Sequence, residues 1–137
     1  MEFIELYVSD FNNIKNILET NDDTTVDMVR SFKLRVKIMN EDDSTELFIA
    51  SYYPKNLVIQ RVSVNNRRKG VFTKVLNELK KIAKENGFER IIVESVITNE
   101  MAKCCIKNGL KAYSNYMHPF KPLEGIQIGC DYVMEVQ

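Results

Sequence analysis

The residues best suited to chemistry form a basic cluster directly before a predicted helix. Arg67, Arg68 and Lys69 precede Gly70, and the apolar residues that follow recur at helical spacing. The start of a helix carries partial positive charge from unpaired backbone N–H groups, so three cations there are repelled unless an anion binds among them. The cluster therefore predicts half of an anion-binding site. The alternative interpretation is a solvated turn between a strand and a helix.

A second group of residues could transfer protons. Glu94 lies in the otherwise apolar stretch RIIVESV, where it is either a general base or a buried acid paired with a cation. Cys105 either packs the inner face of a short helix or supplies a reactive thiolate. Tyr113 and Tyr116 are three residues apart, so on a regular strand they face opposite sides and at most one of them reaches a given cleft. His118, the only histidine, precedes a proline and is typical of a loop residue.

The overall composition restricts the class of protein. The chain has 137 residues, which predicts one domain over 1–137, and its 19 basic and 19 acidic residues cancel, which excludes a general attraction to nucleic acid. No apolar run approaches the roughly 18 residues that cross a bilayer, and the first residues lack a basic leader. The three cysteines form neither an even disulfide set nor a zinc spacing. We expect a cytoplasmic protein without a metal and without membrane association.

Apolar periodicity predicts alternating strands and helices that must position these residues. The predicted strands are 3–8, 32–38, 47–53, 57–64, 90–96, 110–117 and 131–136, and the predicted helices are 11–21, a short turn through Met28, 71–87 with Gly87 as its left-handed C-cap, and 99–108 capped by Thr98 or Asn99. The first strands form an antiparallel meander. The crossover from 57–64 through the helix to 90–96 predicts a parallel pair in the middle of the sheet.

This order of elements resembles a known family. The segments LVIQRVSV, RRKGVF, the amphipathic helix, RIIVESV and NEMAKCCIKNGL, about half of the chain, are similar to the core of the GCN5-related N-acetyltransferase (GNAT) superfamily. Arg67 and Gly70 match the family signature Q/R-x-x-G-x-G/A. Phe72 departs from it, because it occupies the position of the last glycine or alanine. A Phe72 side chain that points into the core would leave the anion site open.

The resemblance implies a fold and a cofactor. The fold is a mixed α+β or α/β arrangement, in which a splayed central sheet of about six to seven strands is flanked by helices. Strand 57–64 would diverge from strand 90–96, and the pantetheine arm of acetyl-CoA would pair with the exposed edge near 62–64. The pyrophosphate would bind the helix start, where glycine allows close backbone approach. The implied cofactor-binding residues are Val62, Ser63, Val64, Arg67, Arg68, Lys69, Gly70, Val71, Phe72, Thr73 and Asn99.

The implied reaction is direct transfer of an acetyl group from the thioester to an amine, on a small molecule, a protein lysine or a protein N-terminus. In many family members a tyrosine four residues before the terminal glycine is the acid, but counting back from Gly109 gives Cys105. The acid would then be Cys105 itself, Tyr113, Tyr116 or solvent, with Glu94 as the base. The alternative is a catalytically inactive GNAT-fold protein that binds CoA or a protein partner. A homodimer is also open.

Overall fold

The described part of the chain, residues 3–67, 70–114 and 122–136 of a computed structural model, contains three α-helices and seven strands. In chain order they are a 3-10 turn Val8–Phe11, α1 Asn12–Asp22, β1 Asp27–Ser31, β2 Arg35–Met39, β3 Glu46–Tyr52, β4 Asn56–Ser63, α2 Val71–Asn86, β5 Arg90–Val96, α3 Asn99–Lys107, β6 Lys111–Tyr113 and β7 Cys130–Glu135. No helix within these ranges is both long and apolar enough to cross a membrane.

The strands form one mixed sheet in the order β1-β2-β3-β4-β5-β7-β6. Strands β4 and β5 pair in parallel, whereas the other neighbouring strands pair antiparallel. The parallel pair follows from the crossover through α2, because strands joined by a helix return in the same direction. The predicted fold class and the predicted parallel pair are both confirmed.

The helices form because their apolar residues repeat at three- and four-residue steps. In α2 these residues are buried, and Gly87 ends the helix in the left-handed conformation with its N–H bonded to the carbonyl of Ala83. In α1 the buried residues are Ile14 and Leu18, with Phe11 just before them. The periodicity therefore predicted both helices and their inner faces.

The two faces of the sheet are packed differently. The buried residues of all three described α-helices belong to one large core, together with strand residues such as Leu57 and Ile59. Side chains alternate along a strand, so Val58 points to the opposite face, where it forms a small cluster with Ala50, Ile92 and Val133. The helices thus cover one face, and the small cluster marks the other.

Several predicted elements differ from the structure. Residues 3–7 are not a strand, although the N–H of Leu6 donates to the carbonyl of Lys33 at 2.8 Å. Residues 27–31 form the edge strand β1 rather than a helical turn, and their partly exposed, charged character obscured the alternation. Phe32 is 93% exposed and, with Lys33, adopts positive φ in the turn before β2. Such turns normally carry glycine or asparagine, so this one had no sequence signal. Strand β6 ends at Tyr113, Ser114 is not part of it, and residues 115–117 of the predicted range lie outside the described residues.

Candidate functional site

The parallel pair of β4 and β5 is paired over only half of its length. Residues 56–59 of β4 pair with 90–93 of β5, and we call these residues the closed segment. Residues 60–63 and 94–96 continue the two strands without pairing to each other, and we call these residues the open segment. The resemblance to the GNAT family implied this divergence of the two strands.

Two irregularities lie where the strands separate. On β4, Phe48 of β3 pairs with Arg61 and the next residue pairs with Ile59, which leaves Gln60 as a bulge. On β5, Ser95 has φ of 52°, and its N–H donates to the Asp131 carboxylate at 2.9 Å. Because a bulge bends its strand and increases the local twist, one bulge on each strand accounts for the divergence.

The open segment leaves one edge of β4 available. Val62 and Ser63 pair with β3 on one side, through Leu47 and Glu46. On the side toward β5, the described part of the chain provides no strand partner for them. Val62 and Val64 are partly buried against the core, so their side chains point inward. Their backbone N–H and C=O groups on the side toward β5 are left without a strand partner in the described part of the chain. Such an edge can pair with an extended ligand through main-chain hydrogen bonds.

Helix α2 follows β4 along the chain after the connection 64–70, and its first N–H groups are unused by the helix. Its N-cap Gly70 has φ of 65°, and no side chain within the described ranges caps it. The first N–H bonded within the helix belongs to Lys74, which donates to the Gly70 carbonyl at 3.2 Å, so residues 71–73 have no partner in the helix. Apart from Gly70 itself, its chain neighbours and the backbone of its own helix, no described atom lies within 4 Å of the position that a Cβ at Gly70 would occupy. Phe72 is only 7% exposed, so it packs into the core as expected and leaves the helix start open.

Of the other proposed cofactor residues, Thr73 lies in the first turn of α2, Asn99 begins α3, and two lie outside the described ranges. Arg67 is exposed, whereas Arg68 and Lys69 are not among the described residues. The Thr73 hydroxyl accepts a hydrogen bond from the Asn108 side chain at 3.1 Å, which joins the first turn of α2 to the end of α3. Asn99 is the exposed first residue of α3.

The N-cap of α3 is Thr98, one of the two residues that the sequence offered. Its hydroxyl accepts a hydrogen bond from the Met101 N–H at 3.2 Å. This contact settles the choice that the sequence left open between Thr98 and Asn99. The Asn99 side chain therefore does not cap α3.

Glu94 and Tyr113 lie on the same face of the sheet. Burial raises the pKa of Glu94, the nearby Asp131 raises it further, and Arg35 partly opposes them. Within the described residues Glu94 has neither an ion pair nor a hydrogen bond, which disfavours its interpretation as a paired structural acid. Tyr113 pairs with Asp131 across β6 and β7 and packs against the small cluster that contains Ile92. Tyr116 and His118 lie outside the described residues.

Cys105 is a core residue. Its side chain is fully buried, and burial, with a smaller contribution from Cys104, raises the pKa of its thiol to about 12. A fully buried thiol with such a pKa is a poor proton donor, which disfavours the expectation that Cys105 serves as the acid. The prediction that it packs the inner face of α3 is confirmed.

Sequence reasoning missed Asp22, the last residue of α1. Its carboxylate accepts hydrogen bonds from the backbone N–H groups of Asn65 and Asn66, at 2.8 and 3.0 Å, and from the Thr45 hydroxyl at 2.6 Å. Burial raises the pKa of Asp22, but these hydrogen bonds together lower it below its ordinary value. The connection between β4 and α2 is therefore hydrogen-bonded to the end of α1 through the Asp22 carboxylate.

In the described ranges no three histidine, cysteine or acidic side chains are grouped so that they could hold a metal ion.

The chain is similar to known proteins in its fold but not in its sequence. No family model matches the sequence, and no curated protein matches it. The fold, however, matches solved structures.

Three of these structures indicate the fold. Tetrahymena GCN5 has 13% identity and a TM-score of 0.51, with 100% of this chain and 97% of that chain covered. An IAA acetyltransferase from Bacillus cereus has 17% identity and a TM-score of 0.52, with 98% and 97% covered. N-acetylglutamate synthase from Neisseria gonorrhoeae, solved with coenzyme A and N-acetylglutamate, has 12% identity and a TM-score of 0.50, with 99% of this chain but 35% of that chain covered. At such identities the likeness concerns the fold, and the chain has the GNAT fold.

Proposed function

We propose that this protein is an acyl-CoA-dependent N-acyltransferase that uses acetyl-CoA. The observation that carries the proposal is the open segment of β4 and β5, which is followed along the chain by the start of α2, where no described side chain caps the helix. An unpaired strand edge and a helix start together suit a ligand with an extended amide-containing arm and a diphosphate. CoA has both parts in that order.

The start of α2 would hold the diphosphate. The N–H groups of residues 71–73 and the partial positive charge of the helix end favour a compact dianion. Gly70 allows the anion to approach the backbone, and Arg67, Arg68 and Lys69 add positive charge. The backbone edge of Val62, Ser63 and Val64 would pair with the pantetheine amides. Asn99, at the start of α3, would contact the same ligand from the other side of the cleft.

Glu94 would act as the general base. A raised pKa suits this role, because a base whose pKa is nearer to neutral removes a proton from an ammonium group more readily. The neutral amine then attacks the thioester carbonyl, a C–N bond forms, and the C–S bond breaks. A backbone N–H of the open segment would stabilise the negative charge on the carbonyl oxygen. The leaving thiolate takes a proton from Tyr113, Tyr116 or water, and the proton that the attacking nitrogen loses as the amide forms replaces it.

A second candidate function is CoA binding without turnover. The observation that favours it is Cys105, because the position where many family members carry the acid is here a buried thiol with a high pKa. In this case the cleft would hold CoA as a structural ligand or present it to a protein partner. The same binding residues apply, and Glu94 and Tyr113 have no catalytic role.

The test has two stages. Native mass spectrometry of the purified protein and calorimetric titration with CoA measure binding, and we expect a complex with one CoA per chain. Release of free thiol from acetyl-CoA is then followed against a panel of small amines, lysine peptides and free N-termini, with reactions lacking the amine as controls. Absence of CoA binding would contradict both candidate functions. Tight binding without thiol release from any acceptor would favour the second.

A further inference from the structure

Asp22 occupies an unfavourable place in α1. It is the last residue of that helix, where the aligned backbone dipoles leave partial negative charge, and the last turn contains no basic residue. Asp23, the left-handed C-cap, adds a second carboxylate. A carboxylate at this helix end is stable only if hydrogen-bond donors from other parts of the fold offset the unfavourable charge interaction.

The compensation comes from the connection between β4 and α2. One oxygen of Asp22 accepts the N–H of Asn65 and the hydroxyl of Thr45, and the other accepts the N–H of Asn66 and the side-chain amide of Asn21. The Asn65 and Asn66 N–H groups are successive on the backbone, so their direction is fixed by a single side chain. Hydrogen bonds to a charged group are among the stronger ones in proteins.

The same connection is held by two further contacts. The Asn21 amide donates to the Asn66 carbonyl at 2.9 Å, and the Asn65 amide donates to the Ser44 hydroxyl at 2.8 Å. Residues 65–66 are therefore held by hydrogen bonds to α1 and to the turn before β3. Arg67 and Gly70, which follow, are exposed. The fixed part of the connection ends just before the part that would meet the diphosphate.

We propose that Asp22 is a positioning residue for the phosphate-binding connection, an inference that rests on the proposed function. It acts through Asn65 and Asn66 by holding the backbone from which Arg67 and Gly70 extend toward the ligand. The negative charge of Asp22 near an anion site should weaken CoA binding by repulsion, whereas its hydrogen bonds to the backbone should strengthen CoA binding. The two effects have opposite signs and can be separated by experiment.

The experiment compares Asp22→Asn with Asp23→Asn by calorimetric titration with CoA. Both variants remove one negative charge at the same helix end, but the Asp23 side chain has no hydrogen bond to the described residues, and asparagine tolerates its left-handed backbone. We expect Asp23→Asn to bind CoA as tightly as the parent or slightly more tightly. Asp22→Asn should bind about tenfold more weakly, because its amide offers a donor where the backbone also offers donors.

A second variant and a second measurement keep the test valid if Asp22→Asn folds poorly. Thr45→Val removes one donor to Asp22 from a fully buried position and should weaken CoA binding in the same direction by a smaller factor. Amide hydrogen exchange at Asn65 and Asn66 should be faster in both variants and unchanged in Asp23→Asn. Equal CoA affinity for Asp22→Asn and Asp23→Asn, with a parent that binds CoA, would overturn the positioning role alone. A parent that does not bind CoA would overturn the proposed function, and the positioning role with it.

Discussion

The closed and open segments of the β4–β5 pair differ in structure although they belong to the same two strands. In the closed segment, residues 56–59 of β4 are all buried and pair on both sides. In the open segment, residues 60–63 are partly or fully exposed; residues 61–63 pair with β3, Gln60 is a bulge, and none of the four pairs with β5. The difference arises from one bulge on each strand, at Gln60 and Ser95, rather than from a change to a loop. One strand can therefore supply both the core and a ligand-binding edge.

The largest expected effect comes from Gly70→Glu, at the helix start next to the open segment. We expect CoA binding to be lost in calorimetric titration, because the substitution adds bulk and a like charge where the diphosphate would lie. The fold should survive, since no described residue beyond the chain neighbours and the helix backbone lies within 4 Å of the added Cβ, and only the positive φ is strained. Gly87→Glu is the matched control, because Gly87 also has positive φ but lies at the other end of α2. Unchanged affinity in Gly70→Glu would place the anion site elsewhere.

Leu57→Ala tests the closed segment. Leu57 is fully buried, so the truncation should lower the free energy of unfolding by about 3 kcal/mol. Val62→Ala in the open segment removes a partly buried side chain and should cost about 1 kcal/mol. Urea unfolding measures both, and CoA affinity should be nearly unchanged in both, because the ligand would pair with the backbone. Similar losses of stability would contradict the division of β4 into two functional halves.

Glu94→Gln, in the open segment, should lower turnover by about a hundredfold, as expected for loss of a general base, while CoA affinity stays the same. In the parent, kcat/KM should rise with pH through the raised pKa of Glu94, and this rise should be absent in the variant. A parent profile without that rise, or an unchanged turnover in Glu94→Gln, would exclude Glu94 as the base.

Glu94→Gln should lower turnover but raise the stability of the folded protein at neutral pH. A raised folded-state pKa means that the contribution of Glu94 to stability is complete below its unfolded pKa and is lost as pH rises through the folded value. Glu94→Gln should therefore melt slightly above the parent at neutral pH, and the difference should disappear in acid. Differential scanning calorimetry at both pH values measures it.

The smallest expected effect is that of Tyr113→Phe. Tyr113 shares the face of Glu94, so loss of its hydroxyl should lower turnover by about tenfold if it protonates the leaving thiolate. Tyr116→Phe is the comparison variant, because Tyr116 is the other tyrosine that the sequence offers as the acid. Equal small effects would assign the proton to water.

Local patterns predicted the scaffold but not the contacts that shape the site. The periodicity of α2 and the crossover to β5 predicted the parallel pair, and Gly70 was identified from its place before the helix. Asp22 could not be found in this way, because its partner Asn65 lies 43 residues away in sequence. The bulge at Ser95 carries no glycine, and its support comes from Asp131 across the sheet. Such long-range hydrogen bonds leave no pattern in neighbouring residues.

The adjacent cysteines of α3 have a consequence for chemical labelling. Alkylating reagents attack the thiolate, and a thiol with a pKa of about 12 that is also fully buried supplies almost none of it to solvent. Cys105 should therefore react only when α3 separates from the sheet, whereas Cys104, which is partly exposed, can react in the folded protein. The ratio of the doubly to the singly alkylated form of the peptide that contains both cysteines would measure how often this part of the core opens, without any reporter group being added to the chain.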